Sequence, residues 1–265
     1  MKDILEEIVA SKRVEVAAMK EEIPPQDLHA KVDALLSEGR RTISMKSSLA
    51  SSPSGIIAEF KRKSPSKGWI HADSRPEDVV PVYARNGASA LSILTDGPYF
   101  GGCMEYIERV RPMVSIPILR KEFIIDEYQL FQARLIGADA VLLIAADLSL
   151  GECRSLTATA HELGLEVLLE IHGKEELDYC VCDADMVGVN NRNLGTFHTD
   201  VQHSFEIASL LPKDTLLVSE SGISSPDTVK ALRGAGFRGF LIGETFMKEA
   251  DPGQALGEFI RKVES

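Results

Sequence analysis

The sequence predicts an α/β fold, a (β/α)8 or TIM barrel with an N-terminal helical extension. Three observations lead to this prediction. Short apolar runs recur about every 20 to 30 residues, most of these runs are continuously apolar, and segments with helical periodicity separate them. About eight such units in about 210 residues match the repeat number and size of this barrel. A doubly wound open sheet is the competing fold, but no predicted strand is followed by the glycine-rich fingerprint of dinucleotide-binding sheets.

The predicted strands share an apolar composition, which is typical of parallel strands covered on both faces. They span residues 56–60, 90–94, 116–120, 140–145, 166–171, 186–190, 216–220 and 239–243. Helices are predicted between them, for example over residues 126–137, and after the capping residue Ser225 with Pro226 in the first turn. Pro81 lies inside the helical segment 77–85, so we expect that helix to be kinked or to begin late.

Residues 1–265 are predicted to form a single (β/α)8 barrel domain, with residues 1–50 as its N-terminal helical extension. Apolar residues between positions 4 and 16 predict an amphipathic helix, which Pro24-Pro25 ends. Residues 28–36 predict a second helix. We expect this extension to pack on the barrel and not to form a separate domain.

The composition excludes several classes of function. The formal net charge of -11 argues against nucleic acid and anionic membranes as partners. No apolar run approaches the ~20 residues needed to cross a bilayer, and the N-terminus does not resemble a secretory signal. The spacing of the four cysteines fits neither a disulfide framework nor a zinc site, so we expect reduced thiols, no metal, no cofactor and a cytoplasmic location.

The end of the first predicted strand is the most distinctive stretch of the chain. Glu59 and Lys61 are two residues apart, so on a strand they project to the same side. A carboxylate and an ammonium group on a core strand are costly unless a site needs them. The polar segment 64–68 that follows has no helix or strand signal and has the composition of a mobile loop over a ligand.

Polar residues also follow the other strands, at the end of the barrel where active sites of this fold lie. They include Lys121, Glu170, Asn190, Arg192 and Glu220. Each of these alone is readily explained as a satisfied charge at a strand end, but their joint placement favours a site. After the last two strands, Ser221-Gly222 and Gly243-Glu244 occupy the loops in which this fold usually binds phosphate.

These residues also resemble the motifs of a known family. The segments 59–68, 94–96, 119–124, 168–172, 190–194, 219–223 and 241–244 are similar, in order and spacing, to those of the indole-3-glycerol phosphate synthases. The resemblance covers essentially the whole chain. It implies ring closure of 1-(2-carboxyphenylamino)-1-deoxyribulose 5-phosphate, with loss of carbon dioxide and water, in tryptophan biosynthesis. The implied partner is this phosphorylated small molecule, and association with other enzymes of the pathway is left undetermined.

The resemblance also implies residue roles. Lys121 is expected to be the general acid and Glu170 its partner for proton transfer in the dehydration, while Lys61 pairs with the substrate carboxylate and Glu59 holds a lysine. Asn190, Glu220 and Ser221 are expected at the sugar hydroxyls or the anthranilate part, and Ser64, Gly222, Gly243 and the Glu244 backbone at the phosphate. The catalytic set is Lys121, Glu170, Lys61, Glu59, Asn190 and Ser221, and the substrate-binding set is Ser64, Phe123, Arg192, Glu220, Gly222, Gly243 and Glu244.

The chemistry of these residue types agrees with those roles. A lysine can deliver a proton to a developing alkoxide, and we expect neighbouring cations and partial burial to lower the pKa of Lys121 for this purpose. Two alternatives stay open: an aldolase-type enzyme with Lys121 as a Schiff-base lysine, and a barrel that only binds a sugar phosphate. Three residues depart from the family pattern. Glu122 replaces an expected aspartate, Asp147 adds negative charge, and Lys63 is expected to offset it.

Overall fold

The structure is a computed structural model that describes residues 4–193 and 198–265. Within these residues, eight parallel strands close into a barrel in which each strand pairs with its neighbours along the chain, and the last strand pairs with the first. The strands are β1 Ile56–Phe60, β2 Ala90–Leu94, β3 Ile118–Lys121, β4 Ala140–Ile144, β5 Glu166–Ile171, β6 Met186–Asn190, β7 Leu216–Glu220 and β8 Phe237–Ile242. The predicted (β/α)8 barrel is therefore confirmed, and closure of the sheet rules out the open alternative.

Two strands begin elsewhere than predicted, for identifiable reasons. β3 starts at Ile118 because Pro117 has no N–H to donate, although its carbonyl oxygen accepts a hydrogen bond from the Leu91 N–H. β8 starts earlier than predicted, at Phe237, and its pairing with β7 shifts register between Phe237 and Gly239.

Three helices precede the barrel: α1 Ile4–Glu22, α2 Pro25–Ser37 and α3 Met45–Ser51. Helix α3 was not predicted from the sequence, although Ser44 is its N-cap and accepts a hydrogen bond from the Ser47 N–H. Met45 and Leu49 of this helix are fully buried and pack with the side chains that fill the barrel interior. This helix therefore closes the end of the barrel opposite the C-terminal ends of the strands.

The remaining helices lie outside the strands and cover the barrel. They are α4 Pro76–Arg85, α5 Glu105–Val110, α6 Glu127–Ile136, α7 Leu150–Glu162, α8 Gln202–Ala208, α9 Pro226–Gly234, α10 Glu244–Met247 and α11 Pro252–Glu264, and a 3-10 helix, Lys174–Cys182, follows β5. Ser225 caps α9 as predicted. Of the two expectations for Pro81, the late start is wrong, because α4 begins at Pro76 and continues through Pro81, and the kink stays a prediction. One backbone hydrogen bond is lost there, but the buried Val80 and Tyr83 hold the helix on the barrel.

Candidate active site

A cavity of about 620 Å³ opens at the C-terminal ends of the strands. It brings together every candidate residue from the sequence analysis: Glu59, Lys61, Ser64, Lys121, Phe123, Glu170, Asn190, Arg192, Glu220, Ser221, Gly222, Gly243 and Glu244. Side chains from β1, β3, β5, β6 and β7 meet there because the carboxyl ends of parallel strands lie at one end of the barrel.

Lys121 lies between two carboxylates that belong to different strands. Its Nζ is 3.0 Å from Glu170 Oε2 at the end of β5 and 2.5 Å from Glu220 Oε2 at the end of β7. Both carboxylates are almost fully buried. This buried group of one ammonium and two carboxylates lines the cavity and is suited to moving protons.

The electrostatic environment of Lys121 is the opposite of the one expected from the sequence. Burial by itself would lower the pKa of Lys121, but the carboxylates of Glu170, Glu220 and Glu59 outweigh it and raise this pKa above its usual value. The adjacent Arg120 does not contribute a cation to the cavity, because its guanidinium projects outward and donates to the Gln129 carbonyl oxygen at 2.7 Å. Lys121 is therefore an ammonium group in this site.

The two carboxylates beside Lys121 have pKa values that are shifted in opposite directions. Burial raises the pKa of Glu220, and Lys121 only partly offsets this, so that pKa is about 7. Burial acts on Glu170 in the same direction, but Lys121, His172 and Asn190 outweigh it and hold the pKa of Glu170 well below its usual range. Pairs of titratable groups with separated pKa values can divide acid and base work between them.

Two glycine residues leave room for the carboxylates of Glu220 and Glu59. Gly188 pairs with Glu170 across β5 and β6, and a Cβ atom built on it would collide with Glu220 Oε1. Gly243 follows β8, and a Cβ atom there would collide with the Glu59 carboxylate. Glu59 in turn binds Lys61 Nζ at 2.5 Å, so these two side chains lie on one side of the chain, as predicted from their spacing.

The segment after β1 is more ordered than its composition indicates. The predicted loop is the turn between two short strands that the composition did not indicate, Lys63–Ser64 and Gly68–Trp69, which pair as an antiparallel hairpin. Its turn reaches over the cavity: Arg192 Nη1 donates to Ser66 Oγ at 2.9 Å. Lys63 is directed to the Pro98 carbonyl oxygen at 2.9 Å and does not line the cavity, so it does not offset charge inside it.

The turn after β7 has an unusual backbone. Ser221 has a φ of 68° and Gly222 one of 76°, and a non-glycine residue in this left-handed region is uncommon outside functional sites. Asn191 holds the turn by donating to the Ser221 carbonyl oxygen at 3.0 Å. Gly222 is exposed beside the cavity, while Gly243 begins the turn into the short helix α10. Both turns therefore present backbone to the same end of the cavity.

Several lining residues were not assigned to the site from the sequence. They are Ile4, Leu5 and Ile8 of α1, Phe100 after β2, His172 after β5, and Lys248 after α10. The apolar periodicity of α1 was recognised but was interpreted only as packing on the barrel. His172 lies within a recognised motif, and its position two residues after Glu170 is the signal that could have identified it. Among the described residues, no cluster of three or more His, Cys, Asp or Glu side chains could hold a metal ion.

Comparison with known proteins identifies the family. The family model described as indole-3-glycerol phosphate synthase matches residues 5–259. The chain is 60% identical to an indole-3-glycerol phosphate synthase of Bacteroides thetaiotaomicron, over all of both chains. The chain belongs to the indole-3-glycerol phosphate synthase family. It is also 41% identical to the synthase of Polynucleobacter necessarius, covering 97% of this chain and 99% of that one.

More distant solved structures are similar to this chain in fold only. A 3-hexulose-6-phosphate synthase from Salmonella typhimurium superimposes with a TM-score of 0.59 at 16% identity, over 79% of this chain and 98% of that chain. A tryptophan synthase chain from Pyrococcus furiosus does so with a TM-score of 0.57 at 14% identity, over 80% and 97%. No helix in the described part of the chain is long and apolar enough to cross a membrane.

Proposed function

We propose that the cavity at the C-terminal ends of the strands closes the indole ring, with Lys121 as the general acid. As a member of its family, the chain is a carboxy-lyase of tryptophan biosynthesis that forms indole-3-glycerol phosphate. The observation that carries the residue assignment is the position of the Lys121 ammonium between Glu170 and Glu220. A protonated lysine beside two carboxylates can give up a proton and be recharged without bulk water.

The two ends of the cavity suit the two ends of the substrate. Ser64 and the backbone of residues 221–222 and 243–244 form a polar end, which is suited to the phosphate group. Ile8, Phe100 and Phe123 supply apolar surface for the aromatic ring. Lys61, held by Glu59, is assigned to the substrate carboxylate, and Asn190, Glu220 and Ser221 to the sugar hydroxyls or the anthranilate part.

The proposed chemistry uses these groups in sequence. The ring carbon that carries the carboxylate attacks the ketone carbon, and Lys121 gives its proton to the ketone oxygen as that oxygen becomes a hydroxyl group. Carbon dioxide leaves, and its bonding electrons return to the ring system. The hydroxyl then takes up a proton and leaves as water, while the carbon between the nitrogen and the former ketone carbon loses a proton to Glu170, which restores the aromatic system. Electrostatic stabilisation of the developing oxygen charge by Lys121 adds to proton transfer.

One assay tests this proposal directly. Adding 1-(2-carboxyphenylamino)-1-deoxyribulose 5-phosphate to the purified chain should produce indole-type fluorescence, together with one carbon dioxide per product molecule. Absence of both signals would refute the proposal. Borohydride treatment during turnover separates the aldolase alternative, because only a Schiff-base lysine would be trapped as a covalent substrate adduct.

The same proposal includes a cellular location. We place the enzyme in the cytoplasm, in keeping with its biosynthetic reaction and with its four free cysteines. Its proposed partner is the phosphorylated substrate itself.

A further inference from the structure

We propose that His172 is a positioning residue that keeps Glu170 ionised and oriented, so that Glu170, and not Glu220, serves as the base beside Lys121. The inference rests on the proposed role of Glu170. It adds a residue that had no role assigned from the sequence and that lines the cavity beside Glu170.

The ring of His172 lies between two carboxylates, which favour its positively charged form. Nε2 lies 3.1 Å from Glu170 Oε1, and Nδ1 lies 3.7 Å from Glu176 Oε2. Neither ring nitrogen is placed for a hydrogen bond, but a carboxylate near each of them favours the imidazolium form by charge attraction. Glu176 Oε2 also accepts the His172 backbone N–H at 2.6 Å, so the 3-10 helix Lys174–Cys182 fixes the position of this residue.

The two carboxylates at Lys121 differ in the number of donors and cations they face. Glu170 accepts hydrogen bonds from the Lys121 ammonium and the Asn190 amide, both at 3.0 Å, and its Oε1 lies 3.1 Å from His172 Nε2 in an ion-pair contact. Glu220 receives Lys121 on Oε2, while its buried Oε1 accepts no hydrogen bond from the described residues. His172 therefore supplies one of the contacts that make the environment of Glu170 different from that of Glu220.

The charge of His172 affects how easily Glu170 and Glu220 can both be ionised. The titratable groups that face Glu170 are Lys121 from β3, Glu220 from β7 and His172 at the end of its own strand, and Glu176 faces His172 from the 3-10 helix. With His172 removed, Glu170 and Glu220 would share one cation. A proton would then stay on the pair to higher pH, because two buried carboxylates close together resist being ionised at once.

The test is the pH profile of kcat in the full-length enzyme. His172→Gln should move the acid limb upward by about 1 to 3 pH units, the usual effect of losing an opposite charge beside a carboxylate. Below that limb kcat should fall by about tenfold for each unit of the shift, and at high pH it should return to within about threefold of the wild-type value. His161→Gln is the matched control, since His161 pairs with Asp185 on the outside of the barrel.

Two results would overturn the inference. One is an unshifted profile in His172→Gln, and the other is an equal loss of kcat at every pH, as a structural role alone would give. If that variant does not fold, Glu176→Gln decides, with a smaller shift in the same direction expected and an unshifted acid limb as the contrary result. An inactive wild-type enzyme in the same assay would instead refute the proposed function.

Discussion

Lys12 of α1 lies 3.0 Å from Glu122 Oε1, the residue that follows Lys121 in the chain. Its Nζ is also 3.1 Å from Asp96 Oδ1 and 2.7 Å from Glu15 Oε2, and the Lys12 side chain is almost fully buried. An ion cluster in the interior thus joins the N-terminal extension to the loops after β2 and β3. The same helix supplies apolar side chains to the cavity wall, so this cluster connects the extension to the site.

Replacing Lys12 with methionine should destabilise the protein strongly. The change keeps the length of the side chain but takes the cation from the buried Asp96 and leaves Glu122 with the more distant Arg120 Nη2 at 3.8 Å. Leaving a buried charge uncompensated typically costs about 3–5 kcal/mol. Denaturant titration measures this loss, and Lys31→Met on the exposed surface of α2 is the control. A loss below about 1 kcal/mol, the range of surface pairs, would mean that the cluster does not anchor α1.

A methyl group at position 188 should disturb catalysis without contacting the substrate. In Gly188→Ala the new Cβ atom displaces the Glu220 carboxylate from its contact with Lys121. Losing a charged hydrogen bond of about 1.5–3 kcal/mol should lower kcat by about 10- to 150-fold. Gly151→Ala in α7 provides the control, because nothing lies within 4 Å of a Cβ atom there. If both variants had equal kcat values, the position of Glu220 would not matter for the reaction.

The hairpin after β1 should close more firmly on the ligand. Its turn is exposed and is joined to the barrel rim by the Ser66–Arg192 hydrogen bond and by a 3.8 Å contact between Lys67 and Glu244. Such a segment opens readily when the site is empty, and closing it excludes water. Amide hydrogen exchange over residues 62–72 should slow when indole-3-glycerol phosphate is added. Equal exchange rates with and without product would mean that the hairpin is not a lid.

The stability of the enzyme should depend on pH through His172. Burial acts to lower the pKa of His172, but Glu170 and Glu176 outweigh it and raise this pKa from 6.5 to about 10. The folded state therefore binds this proton more tightly than the unfolded state. The resulting stabilisation is complete below pH 6.5 and is lost as the pH rises through 10.

The measurement compares wild type with His172→Gln by denaturant titration at pH 6.5 and pH 10. The wild type should be more stable at the lower pH by an amount on the order of a few kcal/mol, and this advantage should shrink at the higher pH. An advantage that stays constant, or grows with pH, would show that His172 does not carry the charge described above.

Local signals in the sequence were sufficient for the strands and for most of the helices. The cap at Ser225 forms within a few residues of the chain, so it could be recognised from the sequence. The environment of Lys121 could not be recognised from the sequence. The neighbouring Arg120 points to the opposite face of β3, and the carboxylates that contact Lys121 come from β5 and β7. Contacts of this kind depend on how the barrel closes, and no local pattern records them.

Two further features could not be predicted for the same reason: the cavity wall formed by α1, and the hairpin after β1. Ile8 has the apolar spacing of any packed helix, and only the closed fold decides that it borders the cavity. The hairpin has too few strand-forming residues for prediction, and Trp69, the single tryptophan, secures it by lying against Arg62 and close to Gly101. Tertiary packing overrides weak local propensity in such short elements.

The most direct test of the account is the turnover of Lys121→Ala. The variant should bind indole-3-glycerol phosphate and keep its fold, but its kcat should fall by at least about 10², as expected for loss of a general acid that also stabilises charge. A kcat within about tenfold of the wild-type value would contradict the claim that the ammonium between Glu170 and Glu220 drives the reaction.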